Sequence, residues 1–159
     1  MEFISSTESP VGFLILKSDG QAITEIHFSE TDIQEKNSCA VLETCREQLQ
    51  NYFSGKSFLF DLPLNPAGTE FQQKVWAELL KIPFGETITY HELAIRLGDA
   101  KVIRAAGTAN GRNPIAVIIP CHRVIGAGNQ LIGYAGGIWR KKWLLEHEIK
   151  HNPEKRTLF

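Results

Sequence analysis

Residues 86–111 read ETITYHELAIRLGDAKVIRAAGTANG, and the fold turns on this stretch. Thr89 is a good helix N-cap with Glu92 three residues on, the spacing of a capping box, and Gly98 supplies the stop. After a short turn, AKVIRAAGTANG predicts a further helix ending at Gly111. Two helices joined by a tight glycine-containing turn give a helix-turn-helix outline. The second helix is thin, with Ala105, Ala106, Gly107 and Ala109, and Arg104 projects from its first turn. A helix with its side chains is ~10–12 Å across, whereas the DNA minor groove is ~6 Å wide. Only a nearly bare helix enters such a groove. The same alanines would equally serve close packing against a neighbouring helix, and both readings stay open here.

Upstream, TEFQQKVWAELLKI is helical in pattern, with Phe71, Val75, Leu79 and Ile82 on one stripe and PFG ending it. LPLNPAGTE, with two prolines and a glycine, is the natural boundary, so we place domains at 1–65 and 66–159. The first part reads as a small α/β unit. VGFLILKSD and AITEIHFSE are β-rich runs around the turn signal Asp19-Gly20, which predicts a hairpin. A helix over about 39–53 follows, stopped by Gly55, and SFLFDLPL reads as a short strand. Leu42, Cys45, Leu49 and Phe53 form the helix stripe, so Cys45 is expected to be a small buried hydrophobe, and Cys39 is treated alike.

Three cysteines without a CxxC spacing argue against a disulfide framework and against a zinc site built on thiolates. No run of about eighteen apolar residues suggests a membrane span, and the N-terminus MEFISSTESP is too polar for a signal peptide, so the cytoplasm is expected. The net charge of −1 hides an asymmetry. Residues 1–61 hold ten acids and four bases, while residues 62–159 hold eight acids and thirteen bases. Either only the second part meets a polyanion, or surface charge fluctuates by chance.

Residues 115–124, IAVIIPCHRV, carry the chemistry. IAVII reads as a buried strand that Pro120 ends, putting Cys121 at the strand's exit. A thiol acts as a nucleophile only as thiolate, so it needs a nearby base or cation, and His122 and Arg123 are at hand. Neighbours in an extended chain point to opposite faces, so a Cys121–His122 partnership requires a turn or one bridging water. A third group should orient the imidazole. In the C-terminal helix IWRKKWLLEHEIKH, Glu148 lies one turn after Leu144 and can share its buried face, where it would need a partner; an ordinary surface acid is the other reading.

IPCHRV, with GRNP upstream and YAGG downstream, resembles the methylated-DNA-protein-cysteine methyltransferase (O6-alkylguanine-DNA alkyltransferase) family. FGETITYHELA, IRAAGTANGRNP, IPCHRVIGAGNQLIGYAGG and KKWLLEHE fall in that family's order and spacing, so the resemblance covers essentially the whole chain. It implies an α+β protein: a ribonuclease-H-like α/β domain, then a winged-helix-like helix-turn-helix domain. It implies DNA repair by irreversible, single-turnover transfer of a methyl or larger alkyl group from O6-alkylguanine, and O4-methylthymine, in duplex DNA to Cys121.

Residue by residue, His122 would act as base through a water, Glu148 would orient it, and Asn113 would be the hinge between helix-turn-helix and active-site loop. Tyr90 and Arg104 match the residues that rotate the target nucleotide and fill its place; Ala105, Ala106 and Ala109 form the thin face in the minor groove. Lys101, Arg112 and Arg123 are further candidate DNA contacts, although Arg123 also suits a structural role. Tyr134, Ala135 and Gly136 resemble the wall of the base pocket, and the small residues in that loop suggest room for larger alkyl groups. Neither metal nor cofactor is expected, and the partner is DNA alone, bound by a monomer. Two other classes remain: a damage-binding module without chemistry, which Cys121 argues against, and a thiol hydrolase built on Cys121, His122 and Glu148, in which the thin Arg104 helix would be pointless.

Overall fold

The computed structural model describes residues 2–152; the end of the expected second domain, residues 153–159, lies outside them. The chain is mixed α+β and divides into two compact units, Met1–Ala67 with Pro114–Ala116, and Gly68–Asn113 with Val117–Phe159. Among the described residues no helix is long and apolar enough to cross a membrane.

The first unit is an antiparallel sheet of β1 (Phe3–Ser9), β2 (Gly12–Ser18) and β3 (Ile23–Ser29), in that order, with α1 (Ala40–Ser54) packed on it. The expected hairpin is β2–β3. β1 escapes sequence reading because three successive polar residues, Ser5, Ser6 and Thr7, are buried on its two alternating faces. Ser6 Oγ donates to Asp32 Oδ1 at 2.5 Å, while from α1 Arg46 Nε donates to the Ser6 carbonyl at 2.8 Å and Gln50 Nε2 to Thr7 Oγ1 at 3.2 Å. Leu42, Cys45, Leu49 and Tyr52 are the buried stripe of α1, and Gly55, at φ 79°, ends it in the left-handed region. SFLFDLPL is not a strand. Only Leu64 bridges Ile23, and Phe58 and Phe60 instead lay their rings against Tyr52.

The second unit opens with α2 (Glu70–Leu79), begun by a capping box of Thr69 and Gln72. A side chain at Gly68 would meet the Trp76 indole at 2.4 Å, so the turn into α2 requires glycine. Next come β4 (Ile88–Thr89), α3 (Tyr90–Arg96) and α4 (Ile103–Gly111). Both halves of the Thr89–Glu92 capping box are present. Trp76 Nε1 donates to the Ala109 carbonyl at 2.9 Å, locking α4 on α2. β5 (Val124–Ile125) pairs with β4 in parallel, and α5 (Ile138–Lys150) closes the unit.

IAVII is likewise not a strand. Ile115 alone bridges Ile26, within the first unit, and the chain then turns with Val117 at φ 70°. A β-branched residue there is sterically strained, at a cost on the order of 1–3 kcal/mol. The apolar run reflects burial, not pairing: Ile115, Val117, Ile118 and Ile119 are all buried.

Candidate active site

Pro120, at φ −82° and ψ 62°, makes a tight reversal in which the Cys121 N–H donates to the Ile119 carbonyl at 2.8 Å. Residues Cys121–Arg123 then form one 3₁₀ turn. Cys121 therefore stands in a turn and not at a strand exit, which removes the objection that an extended chain separates it from His122. All three side chains of the turn are buried.

Glu148 of α5 gathers the turn's two basic side chains. His122 Nε2 lies 2.7 Å from Glu148 Oε2, Arg123 Nε donates to Oε1 at 2.7 Å, and Arg123 Nη2 donates to Oε2 at 3.1 Å. The Gly85 N–H adds a donor to Oε1 at 3.3 Å. Burial alone would raise the carboxyl's pKa, but His122 and Arg123 override it and hold it well below the usual range. Burial lowers His122, outweighing the pull of Glu148, so the imidazole rests neutral. An ionised carboxylate only accepts, so the ring proton sits on Nε2 and Nδ1 keeps its lone pair. Nδ1 is buried and has no hydrogen-bond partner among the described residues.

Asn113, just past α4, donates from Nδ2 to the Ile119 carbonyl at 2.7 Å and to Cys121 Sγ at 3.2 Å. It thereby fixes the reversal and the thiol together. Asn110, unforeseen from sequence, is buried and donates to the Cys121 carbonyl at 3.4 Å. Burial raises the Cys121 thiol, against the Asn113 hydrogen bond and the charge of Lys141.

Tyr90, Tyr134 and Lys141 all feel the charge of Cys121. Burial raises both phenols, Tyr134 the more strongly, and the Cys121 charge adds to each shift. Tyr90 donates its hydroxyl to the Ile132 carbonyl at 3.0 Å, and Lys141 Nζ donates to the same oxygen at 2.6 Å. Ala135 is exposed and Gly136 partly so; Gly136 accepts from Arg140 Nη1 at 3.0 Å. A hollow of about 580 Å³ joins Tyr90 to the outer face of α4 at Arg104, Gly107 and Thr108 and to Ile132 and Gly133.

The expected DNA contacts divide. Arg104, Ala105, Lys101 and Arg112 are exposed. Ala106 and Ala109 are not: both are buried, where α4 packs on its neighbours, so these two alanines serve helix packing and not the outer face. Arg123 is also corrected. Its guanidinium is buried and donates to Glu148 and, at 2.7 Å, to the Ile82 carbonyl, so it serves the interior of the site and not an exposed face. Lys141 was hidden in RKK, yet it lies seven residues before Glu148 and so on the same helix face, a signal the periodicity contains. Among the described residues no group of His, Cys, Asp and Glu could hold a metal ion.

Residues 3–66 match the family described as 6-O-methylguanine DNA methyltransferase, ribonuclease-like domain, and residues 70–150 its DNA binding domain. The chain is 44% identical over 157 residues to the methylated-DNA–protein-cysteine methyltransferase of Mycobacterium tuberculosis, covering 96% of this chain and 95% of that one. It is 45% identical over 148 residues to the protein of that name from Methanosarcina acetivorans, covering 89% and 94%. The crystal structure of M. tuberculosis O6-methylguanine methyltransferase superposes with a TM-score of 0.87 at 43% identity, covering 100% of this chain and 99% of that one. That of M. tuberculosis OGT in complex with DNA gives 0.84 at 44% identity, with 97% of each covered. A buried thiol held by Asn113, beside a neutral imidazole that an ionised glutamate orients, thus lies in a chain that belongs to the 6-O-methylguanine DNA methyltransferase family.

Proposed function

We propose that the protein repairs DNA by taking the alkyl group of O6-alkylguanine onto Cys121, once per molecule. The observation that carries this is the set Asn113–Cys121 and His122–Glu148–Arg123 closed on one 3₁₀ turn. The Cys121 proton passes through one water to His122 Nδ1, the basic ring atom, and Glu148 holds the imidazolium that results. The thiolate attacks the alkyl carbon, a C–S bond forms as the C–O6 bond breaks, and the base leaves as guanine after taking up a proton. A thioether does not hydrolyse, so the site stays filled. No cofactor takes part in these steps.

The target base sits inside a duplex and must be flipped out, which costs a few kcal/mol. The exposed edge of α4 enters the minor groove, Arg104 fills the vacated stack and Tyr90 turns the nucleotide. Lys101 and Arg112 add sequence-independent phosphate contacts. Tyr134, Ala135 and Gly136 wall the pocket and leave space for groups larger than methyl; O4-methylthymine is a second substrate. The protein acts as a cytoplasmic monomer, residues 66–159 forming the DNA-binding and alkyl-acceptor part and residues 1–65 a structural one.

The test is intact-protein mass after incubation with a duplex bearing one O6-methylguanine. One added methyl per wild-type molecule, never more than one turnover, and none on Cys121→Ser is expected. Lesion binding without any mass gain would move the reading to a damage-binding module. Repeated turnover of small amides without DNA would favour the thiol hydrolase.

A further inference from the structure

The loop before α5 lines the hollow beside Tyr90 with Ile132 and Gly133 and then makes a turn, closed where the Gly137 N–H donates to the Tyr134 carbonyl at 3.0 Å. Between Tyr134 and the helix the turn is Ala135-Gly136-Gly137, residues with no side chain long enough to anchor it. The anchor comes from the first turn of α5. Arg140, only 8% exposed, donates from Nη1 to the Gly136 carbonyl at 3.0 Å. Its guanidinium carbon lies 4.5 Å from the centroid of the Trp139 indole. A Cβ on Gly137 would stand 3.4 Å from that same indole, so Trp139 lies close over the end of the turn. Trp139 is nonetheless 53% exposed. So large a ring left half in water gains little from burial, and its contacts with Arg140 and the turn are what it contributes.

Resting on the alkyl-acceptor reading above, we propose that Arg140, backed by Trp139, is a positioning residue that sets how well the site takes a large alkyl group, by holding the Gly136 turn in place. A methyl group on O6 is short and reaches little beyond the thiol. A benzyl group extends further and has to lie against the loop that borders the hollow. A turn ordered in advance offers that surface ready-made, whereas a loose one must be ordered by each bulky substrate, at a cost in its transfer rate. Large groups therefore depend on the clasp and small ones are spared. Lysine is no substitute, because only a flat guanidinium can bond the carbonyl and stack on the indole at once.

The first arm times the loading of Cys121, by intact mass, from duplexes bearing one O6-methylguanine or one O6-benzylguanine. The ratio of benzyl to methyl rate constants is expected to fall about tenfold in Arg140→Met, the worth of one lost charge-assisted hydrogen bond. It should fall about two- to fivefold in Trp139→Leu, which loses the stacking alone. The double variant should be no lower than Arg140→Met, since the two side chains form one clasp. An unchanged ratio, equal losses for both alkyl groups, or a wild type that takes methyl but no benzyl overturns the proposal. Replacing a buried arginine can prevent folding, and the exposed Trp139 then carries the test. The second arm needs no DNA: amide hydrogen exchange at Gly137, followed by NMR, should quicken in both single variants, and unchanged exchange overturns the clasp. A wild type that loads from neither duplex would sink the repair reading, while the exchange arm still judges the clasp.

Discussion

Cys45 and Cys121 are both buried thiols, one in each unit, and they differ in everything else. Cys45 sits fully buried on the apolar stripe of α1, and burial alone pushes its pKa to about 12. Cys121 meets the same burial, but Asn113 donates to its sulfur at 3.2 Å, and that bond and the charge of Lys141 both work against the rise. Burial makes a thiol inert; what surrounds it decides whether it becomes an anion.

The sharpest way to break the comparison is to remove each sulfur in turn. Cys121→Ser abolishes methyl uptake from a lesion duplex, whereas Cys45→Ala leaves one methyl per molecule, both read by intact mass. Next in size is Glu148→Gln, which strands Arg123 without its counter-charge in the interior. Losing one member of a buried pair costs about 3–5 kcal/mol, so thermal melts should fall by about 10 °C. Methyl transfer should slow with it, since the imidazole loses the acceptor that fixes its proton on Nε2.

Acid resolves the same pair further. Both groups have folded-state values below their ordinary ones, 6.5 for His122 and 4.5 for Glu148, so in each case the unfolded chain binds protons more readily. Stability is complete above about pH 6.5, declines below it as unfolded His122 protonates, and declines again below about 4.5 as unfolded Glu148 does. Denaturant midpoints measured against pH should show both declines in wild type, and the lower one reduced in Glu148→Gln.

Two adjacent alanines offer a smaller contrast. Ala106→Leu overfills the packing of α4 and should cost about 1–3 kcal/mol. Ala105→Leu, on the exposed side, should stay within about 0.5 kcal/mol of wild type in stability while weakening duplex binding. Equal effects on binding from the two would remove α4 from the DNA contact. Smallest of all, Cys45→Ala should lower stability by about 1 kcal/mol, measured by denaturation.

Local signals were legible where the chemistry is local. Asp19-Gly20 announced the β2–β3 turn, and Thr89 with Glu92 announced α3, because both depend on residues within one turn of chain. β1 was hidden because Ser5, Ser6 and Thr7 look like surface yet are buried, with partners such as Asp32 and Gln50 far along the chain. IAVII misled in the opposite sense, its β-branched residues being buried in turns. Within the site, spacing and resemblance found Cys121, His122, Asn113 and Glu148, which the structure brings together. Neither reading found Lys141, whose partners are the Ile132 carbonyl in the loop before α5 and the Tyr90 ring, the latter far away in sequence.

The bridges on the flanks of the first sheet have a consequence for synthesis. β1 is bordered by Asn37, and β3 by Leu64 and Ile115, so part of each outer flank is already hydrogen-bonded and offers less to a stray strand. Ile115 lies almost fifty residues beyond the rest of that unit. On a ribosome adding about 5–20 residues per second, β3 waits some seconds with Ile26 uncovered before its last partner emerges. Through that interval this stretch of the β3 edge lacks the hydrogen bonds that it has in the finished unit.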